Sequence, residues 1–184
     1  EAMDEAGYDA ATPGNHDMRD PLYLDEGVKN APHTAFVCMN CFRQDGSPRF
    51  APSKIFTVNV VRAAVVGLTV KTGDDSDSTL NDADCMNRLA EEIDRVEPLS
   101  DIQILLCHLG SRACLKIAER VPAVDLFVSG HTHELLHDAR PRGFRRLDCA
   151  GGRICQQRGA CRTSGRFGIP QTDTGGCFGG ENGS

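Results

Sequence analysis

Three short polar stretches carry the residues that could do chemistry: "PGNHD" at 13–17, "CHLG" at 107–110 and "SGHTH" at 129–133. The chain has six histidines, at 16, 33, 108, 131, 133 and 137, and four of them fall in these stretches. Neutral imidazoles beside an Asn carbonyl oxygen suit borderline divalent metals such as zinc, manganese or iron(II). His131 and His133 stand two apart in a turn, a spacing from which two side chains can reach two neighbouring ions. Each stretch follows a run of strand character, so this chemistry requires strands that end side by side.

The rest of the sequence supplies such strands. "IQILLC" precedes His108 and "VDLFVS" precedes Gly130, and both are apolar runs of strand length. "AAVVGLTV" is almost continuously apolar, as a strand covered on both faces should be. "KIFTVNVV" alternates apolar and polar residues like a half-buried strand, and "TAFVCMNCF" is a further apolar run of strand length.

Between Leu80 and Leu99, Met86, Leu89, Ile93 and Val96 recur at spacings of three and four, which predicts an amphipathic helix. Acidic residues in its first turns suit the helix dipole. "SRACLKIAERV" and "YLDEGVKNAP" predict further helices. The opening "EAMDEAGYDA" reads as a helix closed by Gly7, then a short strand from Tyr8 to Ala11. Strands alternating with helices imply a layered α/β domain with mixed or parallel pairing. In such sheets ligands gather beyond the carboxyl ends of the strands, where the three motifs are expected to meet.

Composition narrows the function classes. A chain of 184 residues supports one core. A net charge of −6 argues against a general nucleic-acid or anionic-membrane binder, since those partners select basic surfaces. No apolar stretch approaches the roughly 18 residues that a membrane span needs. Nine cysteines without the even spacing of a disulfide scaffold point to a reducing compartment or an unpaired thiol. Cys38 and Cys41 form a C-x-x-C among Phe36, Val37 and Phe42, which reads as buried strand. No second C-x-x-C stands nearby to complete a four-ligand zinc site, and redox or metal use is the alternative reading.

The text changes character near residue 140, giving two segments, 1–139 and 140–184. Lys plus Arg number 12 against 23 Asp plus Glu before Arg140, and 8 against 3 from it onward. The second segment holds 11 of the 19 glycines and lacks a periodic apolar pattern, so by composition it should not build a packed core. A disordered tail, a basic Gly-rich tail that binds RNA, and a stretch outside the native reading frame are the three readings.

In order, "GYDAATPGNHD", "VVGLTV", "ILLCHLG" and "VDLFVSGHTHE" resemble the catalytic domain of the calcineurin-like metallophosphoesterases, most closely their 5'-nucleotidase branch. The resemblance covers residues 1 to 138 and implies a partial four-layered α/β/β/α sandwich, truncated at the N-terminus. It implies that Asn15, His108 and His131 ligate one divalent ion and His133 a second, with zinc, manganese or iron as the metal pair. His16 becomes the catalytic histidine that steadies the phosphoryl group, and a nucleotide or related small phosphate ester becomes the substrate.

The family's Asp-x-His and Gly-Asp motifs, which supply the bridging carboxylate, would lie before Glu1, so at most one ion is expected in this chain, with little turnover. The 5'-nucleotidase branch places an Asp where this chain has Arg19, leaving Asp20, one position later, and Asp17 as candidates to support the site. Many members of that branch are exported, which sets the resemblance against the cysteine usage. A non-catalytic remnant that binds one metal or a partner is the competing reading.

Overall fold

A computed structural model describes residues 2–71 and 75–134, together with the backbone of residues 140–141 and 153–155. The fold is mixed α/β. Strands β1 (Ala10–Ala11) and β2 (Ala35–Phe36) form a small parallel pair. A six-stranded sheet is built from β3 (Ser53–Val58), β4 (Val61–Thr69), β5 (Ile102–His108), β6 (Leu126–Ser129), β7 (Arg140–Pro141) and β8 (Arg153–Cys155), in the order β3-β4-β5-β6-β8-β7. β4, β5, β6 and β8 run parallel, and β3 and β7 are antiparallel edges. Most of the 140–184 segment lies outside the described residues, but two of its short stretches extend this sheet.

The period-two alternation of β4 and β5 sorts side chains onto two faces. Ala64, Val66, Leu68, Leu105 and Cys107 join Phe127 on the face covered by helices α4 (Ala83–Val96) and α5 (Ser111–Arg120). Those helices contribute Leu89, Ile93, Val96, Cys114 and Ile117, all fully buried. The opposite face carries Val65 and Ile104, with Phe56, Leu106 and Val128 packed against them, and it floors a cavity of about 380 Å³. His108 falls on that second face by the same alternation and lines the cavity's rim.

Two expectations change in detail. The helix expected between Leu80 and Leu99 runs from Ala83 to Val96 as α4, followed by a single turn at Glu97–Leu99. Leu80 instead ends a separate short helix, Ser76–Leu80, and Asp82, with extended backbone, starts α4 as its N-cap by accepting from Cys85 N at 3.1 Å. "TAFVCMNCF" supplies only the two strand residues of β2 and two isolated bridges, Val37 to Ala51 and Phe42 to Pro48. The chain turns there because Asn40 bonds the end of β4 twice, donating to the Thr69 carbonyl at 2.6 Å and accepting from the Thr69 amide at 3.0 Å. No described helix is long and apolar enough to cross a membrane.

Asp82 also takes a 2.6 Å ion pair from Lys71, and this bond together with the cap holds its carboxyl below the ordinary value. A depressed folded pKa gives stability that is present above the unfolded carboxylate pKa and lost as pH falls through the folded one. Asp82→Asn keeps a capping side chain but removes the charge. The variant is therefore expected to have a lower Tm than the parent at neutral pH, with the gap narrowing on acidification; a gap constant from neutral to acid pH would contradict the assignment.

Candidate metal centre

The three motifs sit where parallel strands end. Thr69 pairs in register with His108, and Cys107 with Ser129, so β4, β5 and β6 finish at one level. The loop carrying Asn15 closes over this edge. It is held by Asp17, whose carboxylate accepts from the Gly14 amide at 2.7 Å.

His108 is the centre of the cluster. Its Nε2 lies 2.9 Å from Asn15 Oδ1, joining residues 93 apart in sequence. The His108 and His131 rings stand edge to face with centroids 5.1 Å apart. Burial pushes the His108 imidazole down to about 4, helped by His131 and, more weakly, His16 and His133, while the nearby Asp17 carboxylate acts in the opposite sense. The ring is thus neutral near pH 7, with a lone pair free to bind a cation. His131 packs against the His108 ring, and His16 and His133 lie close enough to act on it electrostatically.

The spacing of His108 Nε2 and Asn15 Oδ1 fits two ligands of one divalent ion. Two ligands at about 2.1 Å from one ion and at right angles to each other stand about 3 Å apart, close to the observed nitrogen-to-oxygen spacing. His131 and His133 hold φ of 87° and 54°, a left-handed backbone that non-glycine residues seldom adopt and that concentrates at functional sites. Among the described residues no three His, Cys, Asp or Glu side chains are grouped so that they could hold an ion, and the His108–Asn15 pair supplies two donors.

The remaining candidates divide. Asp20 is the N-cap of α2 (Pro21–Lys29), where its Oδ1 accepts from the Leu22 and Tyr23 amides at 3.1 Å each. Its hydrogen bonds serve the helix rather than His16, because Pro21 begins the helix at the next residue. Exposed His33 sits away from the cluster with its amide bonded to Asp4, and His137 lies outside the described residues.

Sequence reasoning passed over three contributors. A Cβ at Gly14 would come within 2.7 Å of His108 Cε1 and Nε2, and one at Gly130 within 3.0 Å of Nδ1, so these two glycines form the cradle of the ring. Glu134 accepts from Ser111 Oγ at 2.5 Å and ties the "GHTH" loop to the start of α5. The glycines were visible inside the motifs, but their closeness to His108 was not.

A family model described as calcineurin-like phosphoesterase matches residues 3–135. The chain belongs to that family. Phosphoester hydrolysis, generally with divalent metals, is the chemistry of the family. Among curated relatives, the mouse 5'-nucleotidase is 29% identical over 152 residues, covering 76% of this chain and 26% of its own. A probable 5'-nucleotidase of Treponema pallidum is 31% identical over 148 residues, covering 74% and 24%.

Among solved structures, a 5'-nucleotidase precursor from Thermus thermophilus superposes with a TM-score of 0.61 at 26% identity, over 74% of this chain and 28% of that one. The Thermus thermophilus sulfate thiohydrolase SoxB gives 0.63 at 22% identity, over 84% and 28%, a likeness of fold. The chain spans between 12% and 28% of the length of the curated relatives it matches.

Proposed function

We propose that this chain is part of a metal-dependent phosphate ester hydrolase of the 5'-nucleotidase type, acting on nucleoside monophosphates or related small esters. The observation that carries the reading is the convergence of Asn15, His16, His108, His131 and His133 at one strand edge. The 5'-nucleotidases among its relatives support the choice of substrate class.

In this reading Asn15 Oδ1, His108 and His131 hold one divalent ion and His133 reaches toward a second. When bound, such ions would offset charge on phosphoryl oxygens and lower the pKa of a bound water. The chain's own part is placement. Gly14 and Gly130 fix the His108 ring, Asp17 shapes the loop so that Asn15 meets it, and exposed His16 is left free to touch the phosphoryl group and donate a proton to the departing oxygen. With four ligands, the 184-residue chain takes up one ion and turns over little substrate.

Sequencing the coding DNA upstream of the Glu1 codon, and assaying the in-frame product on nucleoside 5'-monophosphates, tests this. A product with Asp-x-His and Gly-Asp motifs should hydrolyse the ester and lose at least about a hundredfold in kcat on His16→Ala. Turnover that survives His16→Ala, or an inert product carrying both motifs, would overturn the reading. A stop codon directly before Glu1 would favour the non-catalytic remnant.

A further inference from the structure

The C-x-x-C segment has no part in the centre just described, yet it presents three sulfurs at one place. Cys41 Sγ lies 3.3 Å from Met18 Sδ, a contact between residues 23 apart in sequence. The Cys38 thiol donates to Asn40 Oδ1 at 3.3 Å and stands close enough to the Cys41 thiol for the two to interact, and each residue is 1% exposed. Both are free thiols. We propose that Met18, Cys38 and Cys41 form a three-sulfur site for a soft monovalent cation, copper(I) by its ligand chemistry.

The ligand set selects the ion. Thiolate and thioether sulfurs favour copper(I), whereas structural zinc takes four nitrogen, oxygen or thiolate ligands, and among the described residues no third His, Cys, Asp or Glu completes such a set. With metal–sulfur bonds of about 2.3 Å, three sulfurs around one ion stand about 4 Å apart, so the 3.3 Å contact needs only a small outward shift. A disulfide would leave Met18 without a role.

Charge agrees. Binding releases the two thiol protons and leaves a bis-thiolate copper(I) unit with one net negative charge. The Cys38 thiol and, more weakly, the guanidiniums of Arg49 and Arg43 favour the Cys41 thiolate, against burial and the Asp25 carboxylate that pairs with Arg49 at 2.8 Å. The site also has a mechanical link to the metal centre. Met18 belongs to the single turn Asp17–Arg19 that follows Asn15 and His16, and Asn40, inside the C-x-x-C, clamps Thr69 beside His108. Copper here would tie that turn to the end of β4.

The test is anaerobic titration of the reduced chain with copper(I) against the chromogenic chelator bathocuproine disulfonate. The other cysteines also bind copper, so the readout is the tightest equivalent and its sulfur coordination by X-ray absorption. Met18→Leu, a volume-conserving change, should weaken that equivalent about tenfold and reduce its shell from three sulfurs to two, while Cys41→Ser should weaken it by more than about a hundredfold. A tightest equivalent with unchanged affinity and sulfur count in both variants would overturn the proposal. Manganese(II) uptake at the histidine centre does not enter this readout, so the two readings fail separately.

Discussion

Gly67→Ala is expected to abolish cooperative folding, or to lower Tm by more than about 10 °C, which for a domain of this size corresponds to at least about 3 kcal/mol. A Cβ at Gly67 would lie 1.9 Å from the Val37 carbonyl oxygen and 2.5 Å from its carbon. Neither atom is the end of a flexible side chain that could swing aside. The backbone is pinned as well, since the Gly67 amide donates to the Pro52 carbonyl and the Gly67 carbonyl accepts from the Met39 amide. Close approach of one backbone to another is a recognised reason for glycine inside a strand.

Gly27→Ala in α2 is the matched control, because a Cβ there meets nothing within 4 Å. It should be neutral or stabilising by about 0.5–1 kcal/mol. Thermal melts by circular dichroism decide the pair: equal melting temperatures would show that the Val37 crossing is not as tight as described.

Manganese(II) binding, followed by electron paramagnetic resonance, is expected to weaken by more than about a hundredfold in His108→Ala, beyond the 10- to 100-fold typical of losing an outer partner of a ligand. Manganese is the probe of choice because cysteine sulfur is a poor partner for it and the chain has nine cysteines. In the proposed centre His108 is a ligand and sits beside Asn15, so its removal takes away both a donor and the partner of the Asn15 oxygen. Gly14→Ala should weaken binding about tenfold with every donor still present, because the added methyl displaces the ring from Asn15. Manganese affinity unchanged in His108→Ala would remove the centre itself. An effect in His108→Ala with none in Gly14→Ala would leave the ligand assignment standing and sink the cradle.

The regular core was legible in the sequence because periodicity records burial directly. Leu89, Ile93 and Val96 recur at helical spacing and are fully buried against the sheet. The apolar runs before His108 and Gly130 became β5 and β6. The neighbourhood of "CHLG" and "GHTH" was legible too, since they close the adjacent parallel strands β5 and β6, whereas "GNHD" follows β1 of the separate two-stranded sheet and reaches His108 through its loop.

Where local signals competed, the sequence reading was less sharp. Asp20 stands next to the proline that starts α2, and two helix amides claimed its carboxylate. The C-x-x-C run had the composition of a strand, but the Asn40 clamp on Thr69 turned the chain out of the sheet after Phe36.

By itself, the sequence determined the α/β class, the helix faces, the order of the three motifs and the chemical type of their donors. All of these follow from the period of side chains along a single element. Only the tertiary structure decided that Gly14 and Gly130 touch the His108 ring, that Gly67 admits Val37, and that Met18 meets Cys41. Those contacts join residues far apart in the chain through fractions of an ångström of clearance, and spacing along a chain carries no record of distance across a fold.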